Sequence, residues 1–413
     1  MSNDREILRD VARRYMEICR NPDQQRRRAD WRRHNSLKRT RTLIVSGFPS
    51  NEMPACRCVC EDPFLREQEE SFRYFIFQDT CADDSVFEPW LTVSAVYKYG
   101  DCKCGGYKCG GWGVEEGARK QSDQPGGSWK DIYPLKRLED IEKLRTPRHE
   151  IDEPATAQCV ERLKEILGDI ITVNLDRGPA YREWTADIST DLGYLRGIEN
   201  VMLDMTDNPE WLHRLAKFFS DGILKTYAEA EAAGDWGLEQ IFYSEELPDP
   251  AANVRGVQRS RLWGAMAAQE MALVSPAQHE EFLLRYQKPI LESFGLTAYG
   301  CCENLTRKID MLRQIRNLRQ IAVSPFADAP RCAEQIGDKY VIGYRPNPAD
   351  MVSYGFDEAR IRGILRRDLE ACRANGCHVD IALKDVQTVQ GDTERVRKWV
   401  ATTRAVADEV LGG

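Results

Sequence analysis

Short apolar runs alternate with longer amphipathic stretches from about residue 150 onwards. This alternation is typical of a parallel β-sheet with crossover helices. One amphipathic stretch opens with the sequence DNPE at 207–210, which combines a capping residue, a proline in the first turn and an early acid. Its buried stripe is predicted at Leu212, Leu215, Phe219, Ile223 and Tyr227. Two further helices are predicted to begin near 275 and 357.

Six of the apolar runs are predicted as strands, at 170–173, 240–243, 296–299, 320–323, 340–343 and 379–383. Polar or special residues follow each run: Asp176-Arg177, Ser244-Glu245-Glu246, Cys301-Cys302-Glu303, Ser324-Pro325, Arg345-Pro346 and Lys384-Asp385. In a parallel barrel these positions share the rim where active sites lie. A doubly wound open sheet gives the same alternation, but no glycine-rich nucleotide loop follows a strand. The pattern therefore favours an α/β fold with a parallel barrel, although it does not prove that the sheet closes.

The length and composition of the chain fit one large domain. It has 413 residues, of which 42% are hydrophobic and 30% charged, and barrels with insertions reach over about 400 residues. We expect a single domain over 1–413, with 1–60 as an N-terminal helical extension and 100–130 as a Gly/Cys-rich insertion. The extension opens with an amphipathic helix whose apolar positions are Ile7, Leu8, Val11, Tyr15 and Ile18.

The charge distribution bears on partners and location. The net charge of −8 argues against nucleic-acid binding, and no run approaches the roughly 20 apolar residues of a membrane helix. No signal peptide is evident, so we expect a cytoplasmic protein without a membrane or nucleic-acid partner. Residues 26–41 hold eight basic residues and one acid. A nucleic-acid patch is one interpretation, and a solvated helix face or subunit-contact arm is the favoured one.

Fourteen cysteines are a high count for a chain of this kind, but a secreted disulfide scaffold would be much shorter. Clustered cysteines in a reducing compartment are metal ligands or small core residues. The clusters C-x-C-x-C at 56–60 and C-x-C-x4-C at 102–109 lack the C-x-x-C spacing of structural zinc sites. A surface or semi-buried position is therefore favoured over metal binding for both.

The residues that follow the 296–299 run could carry chemistry. Cys301, Cys302 and Glu303 offer thiolate and carboxylate groups, both of which are good zinc ligands. One or two of them could bind a metal together with a residue from another strand end. Zinc would then lower a thiol or hydroxyl pKa or polarise an ether oxygen. Alternatively, one cysteine packs against the barrel and Glu303 caps the following helix.

The few histidines do not suggest a histidine general base, since His213 and His279 lie in amphipathic helices and are expected to be structural. Carboxylates at the rim are better placed as acid or base groups. The predicted catalytic residues are Asp176, Glu245 and Tyr299. Basic and polar groups on the same rim suit an anionic or polar small-molecule substrate. The predicted substrate-binding residues are Arg177, Glu246, Arg345, Lys384 and Gln387.

Two long segments resemble the uroporphyrinogen decarboxylase-like superfamily. They read GYLRGIENVMLDMTDNPEWLHRLAKFF at 193–219 and LTAYGCCENLTRKIDMLRQIRNLRQIAVSPFADAPRCAEQIGDKYVIGYRPNPADM at 296–351. The resemblance reaches loosely to about residue 60, so it covers most of the chain, and it implies a (β/α)8 barrel. The segment RTLIVSGFPSNEMPA at 41–55 lacks the arginine-rich loop R-x-P-x-W-x-M-R-Q-A-G-R of true uroporphyrinogen decarboxylases. Porphyrinogen decarboxylation is therefore not expected.

The other branch of the superfamily contains zinc-dependent methyltransferases that act with a separate corrinoid protein. Several of them carry His-x-Cys at the end of the corresponding strand and a later cysteine as a further ligand. Here Cys301 matches the cysteine, but Tyr299 stands at the histidine position and the last strand end supplies no cysteine. The resemblance thus allows zinc as a cofactor, with Cys301 and either Glu303 or Asp385 as ligands, although the ligand set is incomplete.

The resemblance implies methyl transfer from a small methoxy or methylamino substrate to a corrinoid carried on a partner protein, as in O-demethylation. The partner must bring the corrinoid, because the chain has no Asp-x-His-x-x-Gly motif of a cobalamin-binding domain. A homodimer is the assembly that is common in the superfamily. Two alternatives stay open: a metal-free decarboxylase or lyase that holds a carboxylated substrate through Arg177, Arg345 and Lys384, and a catalytically silent barrel that binds a ligand or partner.

Overall fold

The computed structural model describes residues 2–98, 111–114, 119–121, 129–131, 133–240, 242–353 and 355–412. Within these ranges, eight parallel strands follow one another along the chain: β1 Leu43–Ser46, β2 Trp90–Ser94, β3 Thr172–Asp176, β4 Trp263–Met266, β5 Leu296–Tyr299, β6 Leu318–Val323, β7 Val341–Tyr344 and β8 His378–Leu383. Six of them form a sheet in the order β1-β8-β7-β6-β5-β4, and β2 pairs with β3. The first and last strands are neighbours, as in a barrel. The predicted (β/α)8 fold class is confirmed.

The helices precede, separate and follow these strands. In chain order they are α1 Ser2–Cys19, α2 Asp23–Asn35, α3 Pro63–Asp79, α4 Glu153–Leu167, α5 Ile188–Arg196, α6 Ile198–Asp207, α7 Pro209–Ala233, α8 Pro276–His279, α9 Arg285–Leu291, α10 Ile309–Leu312, α11 Ala329–Ile336, α12 Glu358–Ala374 and α13 Glu394–Leu411. The predicted helix starts near 207, 275 and 357 are confirmed, and the predicted stripe of α7 is buried. No helix of the described chain is long and apolar enough to cross a membrane.

Five of the six predicted strands are present, and β5 has the predicted bounds. The prediction of a strand at 240–243 is wrong, because the described residues there are not in a strand and β4 takes that place in the wall. Gln240 contacts β4 through its side-chain oxygen, which accepts a hydrogen bond from the Trp263 backbone N–H at 3.0 Å. The strand β4 contains Gly264, where a Cβ would come within 2.6 Å of the Phe294 ring. Close packing against Phe294 thus requires a glycine at 264. Because glycine is disfavoured in strands, the sequence pattern of β4 is weak.

Side chains complete the barrel wall where neighbouring strands do not pair. At the free edge of β1, Asp84 accepts a hydrogen bond from the Ile44 backbone N–H and Asp83 accepts one from that of Ser46, both at 2.8 Å. At the free edge of β3, the Asn253 side chain hydrogen-bonds two backbone groups of the strand. Buried backbone groups need such partners, so these side chains replace the missing strand contacts.

The N-terminal extension is helical, as predicted, but it is shorter than 1–60. Its two helices end at Asn35, and β1 already begins at Leu43. The second helix covers the amino end of the barrel. There His34 Nε2 lies 3.2 Å from Asp380 Oδ2 in the barrel interior, and the Asn35 amide donates to the Tyr243 carbonyl.

Intramolecular ion pairs take up much of the basic segment at 26–41. Arg28 pairs with Glu88 at 2.8 Å and Arg32 pairs with Asp249 at 2.7 Å. Arg41 pairs with Asp84, a neighbour of β1. These contacts hold α2 and the following loop against the barrel, so the arginines serve packing within the chain, a role that neither interpretation of the segment includes.

The cysteines at 56–60 have the contacts of packed thiols. Cys56 and Cys60 are buried, and the Cys60 thiol lies 3.7 Å from the Asp4 carbonyl oxygen. Burial raises the pKa of Cys56 to about 11 and that of Cys60 to about 12. Both are therefore thiols at neutral pH, which suits packing. The second cluster, at 102–109, lies outside the described residues, as does much of the predicted 100–130 insertion.

Candidate active site

The carboxyl end of the barrel brings together residues from three strands. Within β8, Asp380 faces the barrel interior, where it accepts a hydrogen bond from the Gln320 amide at 2.9 Å. Side chains alternate along a strand, so Lys384, four residues further on, points to the same side. Its amine lies beside Cys301, which follows β5, and beside Arg345, which follows β7. This rim is where barrel enzymes carry their active sites.

Two thiols, an amine and a carboxylate form the centre of this site. Lys384 Nζ lies 3.2 Å from Cys301 Sγ and 3.8 Å from Cys302 Sγ. The two sulfurs are 3.7 Å apart. Asp385 Oδ2 lies 3.4 Å from Cys302 Sγ and 3.2 Å from the Lys384 amine. We call these four residues the thiol–lysine cluster.

Buried hydrogen bonds fix the loop that carries the thiols. The Glu303 carboxylate accepts from the backbone N–H groups of Cys301 and Ala268, each at 2.7 Å. Arg345 donates to the Cys301 carbonyl at 2.6 Å. Glu303 therefore caps its own loop, and it does not cap α10, whose N-terminal Lys308 makes no side-chain cap. The loop holds the Cys301 sulfur in place beside the amine.

A left-handed glycine makes this loop possible, and a substitution there should destabilise the protein. Gly300 has φ 100°, and a Cβ would lie 2.6 Å from Leu305 and 3.1 Å from Ala322. Since φ in this region costs a side chain about 1–3 kcal/mol, we expect Gly300→Ala to lower the free energy of unfolding by at least this amount in urea. Gly234→Ala is the matched control, because Gly234 has φ 71° and nothing within 4 Å of its Cβ position. An equal loss in both variants would contradict the packing argument.

Neighbouring groups stabilise the thiolate form of Cys301. The pKa of Cys301 is lowered to about 6. The hydrogen bond with Cys302 lowers it most, burial opposes the shift, and the positive charges of Lys384 and Arg345 add to the lowering. The same hydrogen bond raises the pKa of Cys302. Burial and Arg345 act to lower the pKa of Lys384, but the two thiols raise it more, so the net shift is upward. At neutral pH the cluster therefore holds a thiolate beside an ammonium group.

The reactivity of Cys301 should follow this pKa. We expect its alkylation by iodoacetamide to reach half its maximal rate near pH 6, because the thiolate that reacts forms above the pKa of about 6, whereas an ordinary cysteine needs about pH 8.5. The rate is measured by mass spectrometry of the tryptic peptide 286–307. Cys19 is the internal control, since burial raises its pKa to about 11. A midpoint for Cys301 at or above that of an ordinary cysteine would rule out the stabilised thiolate.

The residues as arranged do not fit a zinc site. Both Glu303 oxygens accept backbone hydrogen bonds, and the Lys384 ammonium occupies the space beside the Cys301 sulfur. In the described ranges, no group of three or more His, Cys, Asp or Glu side chains is placed to hold a metal ion. The ligand roles of Cys301, Cys302, Glu303 and Asp385 stay predictions. Elemental analysis tests them, since a zinc site predicts about one ion per chain that Cys301→Ala removes.

Tyr299 is the last residue of β5, and its side chain points away from the site into the helical layer. Its hydroxyl donates to Gln287 Oε1 at 2.6 Å and lies 2.8 Å from His279 Nε2, and its side chain is 1% exposed. Burial, with the charges of Glu303 and Asp187, raises the pKa of Tyr299. The predicted catalytic contact with a substrate is therefore not what the structure shows for Tyr299. His279, whose pKa burial lowers to about 3, has the structural role expected of it.

Asp176 and Arg177, although adjacent, have different surroundings. Asp176 ends β3 and faces the barrel interior, where both its oxygens are engaged by Arg182. Arg177 points away and pairs with Glu153 and with Asp235, the latter at 2.6 Å. Asp176 thus shares the carboxyl-end rim with Cys301. The ion pairs of Arg177 connect α4 with the end of α7.

The structure corrects the expectation that Glu245 and Glu246 share the rim with Cys301. Glu246 pairs at 2.8 Å with Arg319, which lies at the start of β6 and hence at the amino end of the barrel. Glu245 pairs with Lys38, and its backbone N–H donates to Ser36 Oγ at 2.8 Å. These two residues were placed at the carboxyl end because a strand was predicted at 240–243. Since no strand ends there, the barrel geometry does not bring them to that rim.

Sequence reasoning missed the residues around Asp176. Burial, followed by the charge of Asp176, raises the pKa of Glu239 to about 7. Its carboxylate lies 3.3 Å from the Asn174 amide. Neither Glu239 nor Arg182 belongs to a strand end, so no local pattern marks them. The predicted Gln387 is exposed and lies 3.5 Å from the Asp385 carbonyl, at the edge of the thiol–lysine cluster.

No family model matches the chain, and no curated protein is similar to it. Among solved structures, a methyltransferase from Methanosarcina mazei is similar, with a TM-score of 0.51 and 13% sequence identity. The likeness covers 93% of this chain and 98% of that chain. At this identity the likeness concerns the fold, and it extends over almost the full length of both chains.

Proposed function

We propose that the protein transfers a methyl group from a small methoxy or methylamino compound to a corrinoid carried on a separate protein. The observation that carries the proposal is the Lys384 ammonium held 3.2 Å from Cys301 Sγ at the carboxyl end of the barrel. The shared fold with a methyltransferase supports it, as does the sequence resemblance to corrinoid-dependent methyltransferases.

A methoxy substrate illustrates what the residues would do. The reduced corrinoid supplies the nucleophile that takes the methyl group. The bond between the substrate oxygen and the methyl carbon breaks, and the oxygen must gain a proton to leave as an alcohol. Lys384 is a charged donor at the mouth of the barrel, so it gives this proton and regains one from solvent. No metal is needed for this step.

The other members of the site would position this donor. The Cys301 thiolate raises the pKa of Lys384 and so keeps the amine charged. Glu303 and Arg345 fix the loop of Cys301 through its backbone. The lyase alternative has less support, because Arg177 pairs with Glu153 and Asp235 and leaves two of the three expected carboxylate-binding residues at the rim.

Methyl transfer to an added corrinoid protein tests the proposal. The protein is mixed with a corrinoid protein reduced to Co(I) and with a series of methoxylated and methylated-amine compounds, and the cobalt absorbance is followed. Methylation of the corrinoid, with release of the demethylated product, is expected for at least one compound. Glu245→Gln, at the amino end of the barrel, should be as active as the unaltered chain. Release of carbon dioxide from carboxylated compounds without corrinoid methylation would support the lyase instead.

A further inference from the structure

Cys301 and Cys302 are adjacent in sequence and have their sulfurs on the same side of the loop, 3.7 Å apart. Both residues are partly exposed at the rim, so a small molecule can reach them. Lys384 Nζ contacts both sulfurs. Cys372 and Cys377 also hydrogen-bond to each other, but Cys372 is buried in the core. The pair is thus set apart by the access to both of its thiols and by its charged neighbour.

We propose that Cys301 and Cys302 form a reversible redox pair that exchanges with low-molecular-weight disulfides of the glutathione type. The Cys301 thiolate attacks one sulfur of the disulfide, whose other half leaves as a thiolate and takes up a proton. Cys302 then loses its proton and attacks the Cys301 sulfur, which releases the second half as a thiol. The two protein thiols are oxidised to one disulfide, and the small disulfide is reduced to two thiols.

The geometry indicates that this disulfide is easily reduced. Adjacent Cα atoms are about 3.8 Å apart across a trans peptide, whereas disulfides usually join Cα atoms roughly 4.4–6.8 Å apart. A disulfide strained in this way is more reducible, as labile and regulatory disulfides are. Lys384 assists in both directions, because it stabilises Cys301 as the attacking thiolate and as the leaving thiolate.

The exchange chemistry does not depend on the proposed methyl transfer. If that function holds, the oxidised pair removes the thiolate beside Lys384, and the amine loses the partner that keeps it charged. Oxidation would then switch the enzyme off, and reduction would restore it.

Peptide mapping tests the pair directly. The protein is incubated with oxidised glutathione, alkylated at low pH and digested, and peptide 286–307, whose only cysteines are the pair, is weighed. We expect it to lose two hydrogens in the unaltered chain and to regain them with dithiothreitol. In Cys302→Ser, Cys301 should retain one glutathionyl group, because no thiol resolves the mixed disulfide. Cys159→Ser, on α4, is the matched control and should behave as the unaltered chain.

Three results would overturn the redox pair: a stable glutathionyl adduct in the unaltered chain, no change in the peptide, or an oxidised form that dithiothreitol does not reduce. Equal urea midpoints establish that the variants are folded, and Cys302→Ala replaces the serine variant if its midpoint falls. A negative result with intact corrinoid methylation would overturn the pair alone. Normal exchange without methylation of any compound would overturn the proposed function alone.

Discussion

Replacing Lys384 by methionine should lower the rate of corrinoid methylation roughly 10²–10⁴-fold, the usual contribution of a general acid. Methionine retains most of the length of the side chain but offers no proton. The loss should appear mainly in kcat, because the proton moves as the bond to the methyl carbon breaks. Stopped-flow absorbance of the cobalt measures the step directly.

Two further variants separate proton donation from charge. Lys384→Arg keeps the positive charge beside Cys301 Sγ, but its guanidinium is a much weaker acid, so it should restore the low pH midpoint of Cys301 alkylation and little of the methylation rate. Lys384→Met should raise that midpoint, since the charge that lowers the pKa of Cys301 is lost. If Lys384→Met methylates the corrinoid at an unchanged rate, Lys384 is not the proton donor.

The sequence predicts the barrel and the part of the site that follows a regular strand. The strand β5 is a short, mostly apolar run, and Cys301 follows it after one glycine, so the place of Cys301 at the rim could be predicted. Lys384 and Arg345 were found in the same way, after β8 and β7. The alternation of side chains along a strand and the geometry of a parallel barrel place these residues at the rim. Both can be deduced from local sequence patterns.

The remaining features depend on contacts between distant residues. Gly264 leaves room for the Phe294 ring, and this glycine weakens the apolar pattern by which β4 could be predicted. The wrong strand prediction at 240–243 placed Glu245 at the carboxyl end of the barrel, whereas it lies at the amino end. Tyr299 was expected at the site, but its side chain faces the helical layer, where it bonds to Gln287. Glu239, with a pKa raised to about 7 by burial and by Asp176, belongs to a segment without periodicity.

Asp84→Ala should be among the most destabilising single substitutions, with a loss of about 3–5 kcal/mol in the free energy of unfolding. The Asp84 side chain is 3% exposed and pairs with Arg41 and Arg404. It also accepts the Ile44 backbone N–H at 2.8 Å, at the free edge of β1. Alanine would leave two arginines and a strand N–H without this partner, at the place where α13 and the chain before β1 meet the barrel wall.

A surface ion pair provides the matched control. Asp169 pairs with Arg9 at 2.6 Å, but the Asp169 side chain is 64% exposed, so Asp169→Ala should cost far less stability than Asp84→Ala. Equilibrium unfolding in urea at neutral pH measures both variants against the unaltered chain. If the two substitutions cost the same, the buried carboxylate does not complete the wall at the free edge of β1.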